Sequence, residues 1–202
     1  MTIPPPLASQ KVQRASLNPL TKVLIGLAII GGVFVATLVA LRIFGLLYPI
    51  YVPTGSMAPA VAPGDHVILE GLTFLKRNPH RGEIVAFRTD GISSLQSGTM
   101  YDKRIVGEPG EHLRISDGNI YINDSRVVIT NGNGEILYTL TEQMKPFVQY
   151  TDVMIPLGQY FVIGDNATNS FDSRSWGCLP AKNIVGRIWL CYWPPARIGR
   201  VR

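Results

Sequence analysis

The sequence predicts a mainly β protein: a single N-terminal transmembrane helix, then a barrel-like antiparallel β-domain with a small accessory β-ribbon. Three observations carry that prediction. Residues 23–41 (VLIGLAIIGGVFVATLVAL) hold no charge and a single threonine. Downstream, short apolar segments alternate with turns rich in Gly, Pro, Asn and Asp, the pattern of β-strands joined by tight connections. No downstream segment sustains the 3.6-residue apolar period of a soluble helix.

Composition agrees. Apolar residues make up 46% of the chain and charged ones 16%. Soluble domains carry about 25% charge, so part of this chain suits lipid. The 202 residues allow one domain of ordinary size with additions. The net charge of +5 is not spread evenly. Lys11, Arg14, Lys22 and Arg42 all precede the first acidic residue, Asp65, and the rest is close to neutral. A near-neutral domain lacks the electrostatic footprint that phosphate backbones demand, so nucleic acid is not an expected partner.

Taken in order, residues 1–21 are Pro-rich and polar and read as a disordered cytoplasmic tail. Residues 22–42 read as the transmembrane helix. At ~1.5 Å per residue the apolar run spans nearly the ~30 Å hydrocarbon core. A secretory signal peptide would have an apolar region of only ~7–15 residues. Lys11, Arg14 and Lys22 precede the run, and the positive-inside rule places that flank in the cytoplasm. Arg42 closes the run and can snorkel to the interface. Tyr48 and Tyr51, within 43–51 (IFGLLYPIY), suit the outer headgroup level. Residues 43–202 then form the extracytoplasmic domain, with the β-ribbon inserted at about 116–158.

Strands are expected at 65–70, 83–88, 100–106, 112–115, 119–122, 126–129, 159–163 and 183–192. Residues 72–79 read as a loop. Residues 136–140 are expected to pair with 147–150 after the Asn-Gly turn at 131–134.

Three stretches carry candidate chemistry. The first is YVPTGSMAPA, residues 51–60. Prolines around a Gly-Ser pair make a pinned loop rather than a regular element, and Ser56 is the candidate nucleophile. An ordinary polar turn has the same composition. The second is Lys103, in MYDKRIV at 100–106. On a strand, Tyr101, Lys103 and Ile105 share one face, while Asp102 and Arg104 share the other. A lysine between largely apolar neighbours loses solvation, which favours its neutral form, as a general base needs. A solvated surface lysine fits the same spacing. The third is GDNATNSFDSRSWG, residues 164–177, where Asp172 and Arg174 can pair and Ser170 can hydrogen-bond a site residue. It also reads as a loop with Asx-turns. His66, His80 and His112 are scattered and read as structural or surface residues; no metal motif is present.

Together these stretches resemble the bacterial type I signal peptidases (leader peptidases), which are Ser-Lys dyad serine endopeptidases. PTGSMAP resembles the nucleophile box, the segment at Gly64-Asp65 the next, KRIVGEPGE the general-base box, and GDNATNSFDSRSWG the last. The four lie in the family's order behind a membrane helix. The resemblance implies Ser56 as nucleophile and Lys103 as base, with no cofactor and no metal. It implies an oxyanion hole from the Ser56 N–H and the Thr54 hydroxyl. Ser170 would orient Lys103, and Asp172 and Arg174, with Arg104, would hold the last loop against the site. It implies removal of signal peptides from exported preproteins after small residues in an Ala-x-Ala pattern. Partners would be those preproteins, membrane lipid and secretion machinery.

The sequence departs from the family pattern at three positions. Ala167 stands where arginine is usual, Thr54 replaces a serine, and Asp102 precedes the base where an apolar residue is usual. Cys178 and Cys191 read as buried apolar residues; an export compartment permits a disulfide, but sequence does not fix its geometry. Two other functions fit the residues: a related Ser-Lys processing peptidase of another pathway, such as conjugation-pilus processing, and a non-catalytic, membrane-tethered β-domain that binds a partner.

Overall fold

The computed structural model of the protein describes residues 18–202. Most of the expected tail therefore lies outside the described residues. Two compact units divide at Ala40/Leu41.

Helix α1 runs Pro19–Ile43, three residues earlier than the sequence suggests. The reason is a cap. Asn18 Oδ1 accepts the Leu20 N–H at 3.1 Å, and Pro19 occupies the first helical position, where a missing N–H costs nothing. The Thr37 hydroxyl donates to the Val33 carbonyl at 2.8 Å, so the one hydroxyl of the apolar run is satisfied. None of its residues is buried by protein. Among the described residues this is the one helix long and apolar enough to cross a membrane.

The second unit is β. A large antiparallel sheet comprises β1 (Leu47–Tyr51), β2 (His66–Glu70), β3 (Ile84–Arg88), β4 (Met100–Gly107), β9 (Gln159–Ile163), β10 (Leu179–Pro180), β11 (Ile184–Trp193) and β12 (Gly199–Arg200). Its order is β1-β2-β11-β3-β4-β9-β10, with β12 beside β11. The register of β11 shifts at Ile184/Gly186, Ile188/Leu190 and Cys191/Trp193. Such bulges bend and twist a strand. They let β11 pair β3, β2 and β12 in turn and curl the sheet into an open half-barrel. Residues 47–51 are an edge strand here. Sequence reading missed it because Pro49 and the adjoining apolar run hid its two-residue alternation.

A second antiparallel sheet has the order β7-β6-β5-β8. It contains β5 (His112–Ser116), β6 (Asn119–Ile122), β7 (Ser125–Val127) and β8 (Asp152–Met154). The expected pairing of 136–140 with 147–150 does not form. Tyr138 N–H instead donates to the Gly118 carbonyl, and Lys145–Phe147 is a short 3-10 turn. Leu72–Leu75 is another such turn within the predicted loop.

Three apolar clusters hold the unit together. One joins Val106, Phe161 and Ile163 of the large sheet to Leu113, Ile120 and Ile122 of the small one. A second gathers Val85, Phe87, Ile105, Tyr160 and Trp176. The third places Met57 and Val61, both fully buried, against Val67, Ile84 and Ile188. Burying each such side chain is worth roughly 1.5–3 kcal/mol, which pegs the loop after Ser56 to the sheet.

Candidate active site

Met57 buries immediately after Ser56, so the serine is held at the base of a short turn. The Ala58 N–H closes that turn on the Gly55 carbonyl at 3.2 Å, and the Val61 N–H reaches the Met57 carbonyl at 3.0 Å. The other partner arrives on β4. Lys103 stands opposite Val85 of β3 and is 4% exposed. Its Nζ lies 2.9 Å from Ser56 Oγ and 2.7 Å from the Asp102 carbonyl oxygen. Burial holds the Lys103 amine below the usual lysine range, against the opposing pull of Asp102, Asp172 and Asp165. The Tyr101 ring centroid lies 5.5 Å from Nζ.

The Asp102 carboxyl is pushed up by burial, with Lys103 pulling the other way. Its Oδ2 is buried with no hydrogen-bond partner. Thr54 is exposed; its hydroxyl makes no hydrogen bond among the described residues.

The loop between β9 and α2 (Ser173–Trp176) closes the site. Gly164 begins it, and only glycine fits there. A Cβ on Gly164 would fall 2.5 Å from the Ser56 carbonyl oxygen and closer still to Ser170 Oγ. The Asn166 N–H donates to the Ser56 carbonyl at 3.0 Å, and its Nδ2 donates to the Gly55 carbonyl at 3.1 Å. Ser170 is half-buried, and its Oγ has no hydrogen-bond partner, Lys103 included.

Asp172 and Arg174 are both fully buried and paired: Nε to Oδ1 at 2.8 Å and Nη2 to Oδ2 at 2.9 Å. Asp172 also caps α2 through the Arg174 N–H and accepts the Gly164 N–H at 3.1 Å. One carboxylate thus ties the loop's start to its end. Arg174 Nη2 donates to the Ala167 carbonyl at 2.8 Å, while the Ala167 methyl packs into the apolar core.

Arg104 does not join that pair. Its guanidinium binds Asp165 in bidentate fashion, Nε to Oδ1 at 2.7 Å and Nη2 to Oδ2 at 2.6 Å. Burial pushes the Asp165 carboxyl up, and the Arg104 bonds work against that. The Gly82 and Arg202 carbonyls accept from two of the three remaining Arg104 N–H groups. Sequence reading missed Gly164, Asp165 and Asn166 as individual contributors. The signal was present in the polar density of 164–177, but which residue meets which partner is not a local property.

His66, His80 and His112 stand apart from the dyad. His66 packs edge-on between Tyr51 and Tyr192, and His112 pairs with Asp152 at 2.6 Å. Among the described residues no group of three His, Cys, Asp or Glu side chains is placed to hold a metal ion. Cys178 and Cys191 are free.

The family model for "Signal peptidase, peptidase S26" matches residues 24–193. The chain belongs to that family. It is 37% identical over 150 residues to "Probable signal peptidase I-2" of Synechocystis sp., covering 74% of this chain and 64% of that protein. It is 34% identical to "Thylakoidal processing peptidase 1, chloroplastic" of Arabidopsis thaliana, over 76% of this chain and 44% of the relative. It is 31% identical to "Signal peptidase I" of Leptolyngbya laminosa, over 75% of this chain and 71% of the relative. The match thus spans less than two thirds of the first two relatives' own length. The matched span contains Ser56, Lys103 and residues 164–177.

Proposed function

We propose that this chain is a membrane-anchored serine endopeptidase that removes signal peptides from exported preproteins after small residues, using Ser56 and Lys103. The observation that carries the reading is a buried amine 2.9 Å from a loop-pinned hydroxyl. Neutral Lys103 takes the Ser56 proton as Oγ attacks the scissile carbonyl carbon. The Ser56 N–H and the Thr54 hydroxyl stabilise the oxyanion that develops. As the C–N bond breaks, the Lys103 ammonium gives its proton to the leaving amine. Lys103 then activates water to hydrolyse the Ser56 ester, which releases the new carboxyl end and restores the hydroxyl. Ser170 would orient Lys103 only after its side chain turns, since its Oγ has no partner in this structure, while Asp172, Arg174 and Arg104 hold the surrounding loops rigid.

Helix α1 would anchor the enzyme in the plasma (inner) membrane as a single pass, with Lys11, Arg14 and Lys22 on the cytoplasmic side. Preproteins would meet the site at the outer surface. Neither a different processing pathway nor a binding-only role is favoured by a specific observation. Incubating the detergent-solubilised full chain with a preprotein tests the reading. The parent should cleave, and Ser56→Ala and Lys103→Ala should each lose several orders of magnitude. Cleavage retained in either variant refutes the dyad.

A further inference from the structure

We propose that Asn166 is a positioning residue for the oxyanion hole: it fixes the peptide between Gly55 and Ser56 and so aims the Ser56 N–H. The inference rests on the protease reading above. A trans peptide carries its C=O and its N–H in one plane, pointing to opposite sides. Whatever anchors the Gly55 carbonyl therefore sets the direction of the Ser56 N–H. Asn166 Nδ2 anchors that carbonyl at 3.1 Å from 111 residues away in sequence. The Ala58 N–H reaches the same oxygen at 3.2 Å, but it belongs to the same small turn and moves with it. Asn166 ties the turn to the body of the domain.

The next peptide is held from the same residue, because the Asn166 N–H donates to the Ser56 carbonyl at 3.0 Å. The peptides on both sides of the Ser56 Cα are thus fastened by one residue. Among the described residues nothing accepts the Ser56 N–H, which leaves that donor available to substrate. The Asn166 amide is itself oriented. Its Oδ1 faces the Thr168 hydroxyl at 3.4 Å, so the NH2 faces Gly55. Its main chain is fixed by the Asn169 N–H on the Asn166 carbonyl at 2.9 Å and by Gly164, whose missing side chain lets the loop press on Ser56.

A preorganised donor stabilises the transition state more than bound substrate. Loss of one oxyanion donor lowers kcat by about 10²–10³, and a loosened donor loses part of that. Asn166→Ala and Asn166→Asp both remove the Nδ2 donor and keep the backbone contact. The aspartate keeps the side chain's shape but sets an acceptor against an acceptor. We expect kcat to fall about 10- to 100-fold in each, with KM within about twofold. A peptide aldehyde, which forms a tetrahedral adduct on Ser56, should bind weaker by the same factor as the loss in kcat/KM. The acid limb of the rate–pH profile, set by Lys103, should not move in Asn166→Ala, which adds no charge, whereas the carboxylate of Asn166→Asp is expected to move it to higher pH. Asn166→Gln, which keeps a donor, should recover part of the rate.

Unchanged kcat in both variants overturns the inference. So does a rate loss without matching loss of aldehyde affinity, or, in Asn166→Ala, one accompanied by a shifted acid limb. A wild-type protein that shows no Ser56-dependent cleavage sinks the protease reading and this inference with it. Intact wild-type cleavage with unimpaired Asn166 variants sinks this inference alone.

Discussion

Asp165→Ala offers the sharpest test of how the site is supported. Arg104 and Asp165 have side chains 1% and 0% exposed, and they share two short hydrogen bonds. Removing the carboxylate leaves a guanidinium that cannot discharge its proton buried with only the Gly82 and Arg202 carbonyls as partners. Breaking a buried pair on one side costs about 3–5 kcal/mol, a large share of the ~5–15 kcal/mol that stabilises a folded domain. The unfolding constant should rise roughly 10²- to 10⁴-fold at about 1.4 kcal/mol per decade. For a domain of this size, at roughly 2–4 °C per kcal/mol, Tm should drop by about 6–20 °C. Urea unfolding of the full chain in detergent micelles, followed by tryptophan fluorescence, measures this directly. Trp176, Trp189 and Trp193 all lie in the β unit. The double variant Arg104→Met/Asp165→Leu should recover most of the loss, because the cost lies in the stranded charge and not in the missing bond. A loss below about 1 kcal/mol for Asp165→Ala, or a double variant as unstable as the single, would refute the account.

Other expectations follow from the same geometry. Lys103 is held below its usual range in the folded state, so cleavage should rise with pH through that lowered value; a flat profile from acid to mildly alkaline pH would exclude Lys103 as base. Asp102→Asn removes the negative charge that most opposes loss of the Lys103 proton, so the acid limb of kcat/KM should move to lower pH; an upward shift or none contradicts this coupling. Lys103→Met should abolish cleavage yet raise Tm near neutral pH. The unfolded lysine binds its proton at higher pH than the folded one, so wild-type stability rises as pH climbs from the folded value to the unfolded value. The stability gained by the methionine variant should therefore shrink over that window, and a gain that grows with pH would be the wrong sign. Gly164→Ala should cost activity well before it costs the fold, because the new Cβ would press on the Ser56 carbonyl; wild-type kcat in that variant would show that the loop has room to spare.

Much of the domain was legible because strand signals are local. Short apolar runs bounded by Gly and Pro turns marked β2, β3 and β4, and the two-residue period along 100–106 set Lys103 on the strand face opposite Asp102 and Arg104. The elements that escaped reading lack that signal. β8 has three residues and β10 has two, too few for a period to show. The pairing expected for 136–140 was plausible in isolation, but the Tyr138 N–H goes to the Gly118 carbonyl and its ring takes a core position at 1% exposure, with the hydroxyl buried there unpartnered.

By itself the sequence determined a membrane-length helix, a β-rich body behind it, and three stretches whose residue types suit acyl chemistry. Composition, periodicity and the order of short motifs are properties of neighbours in the chain. Only the tertiary structure decided that the Ser56 hydroxyl meets the Lys103 amine across 47 residues, that Arg104 takes Asp165 across 61, and that Asn166 reaches Gly55 across 111. Those contacts depend on where curved strands bring distant loops together. Burial then decides what each contact is worth, and no window of adjacent residues records it.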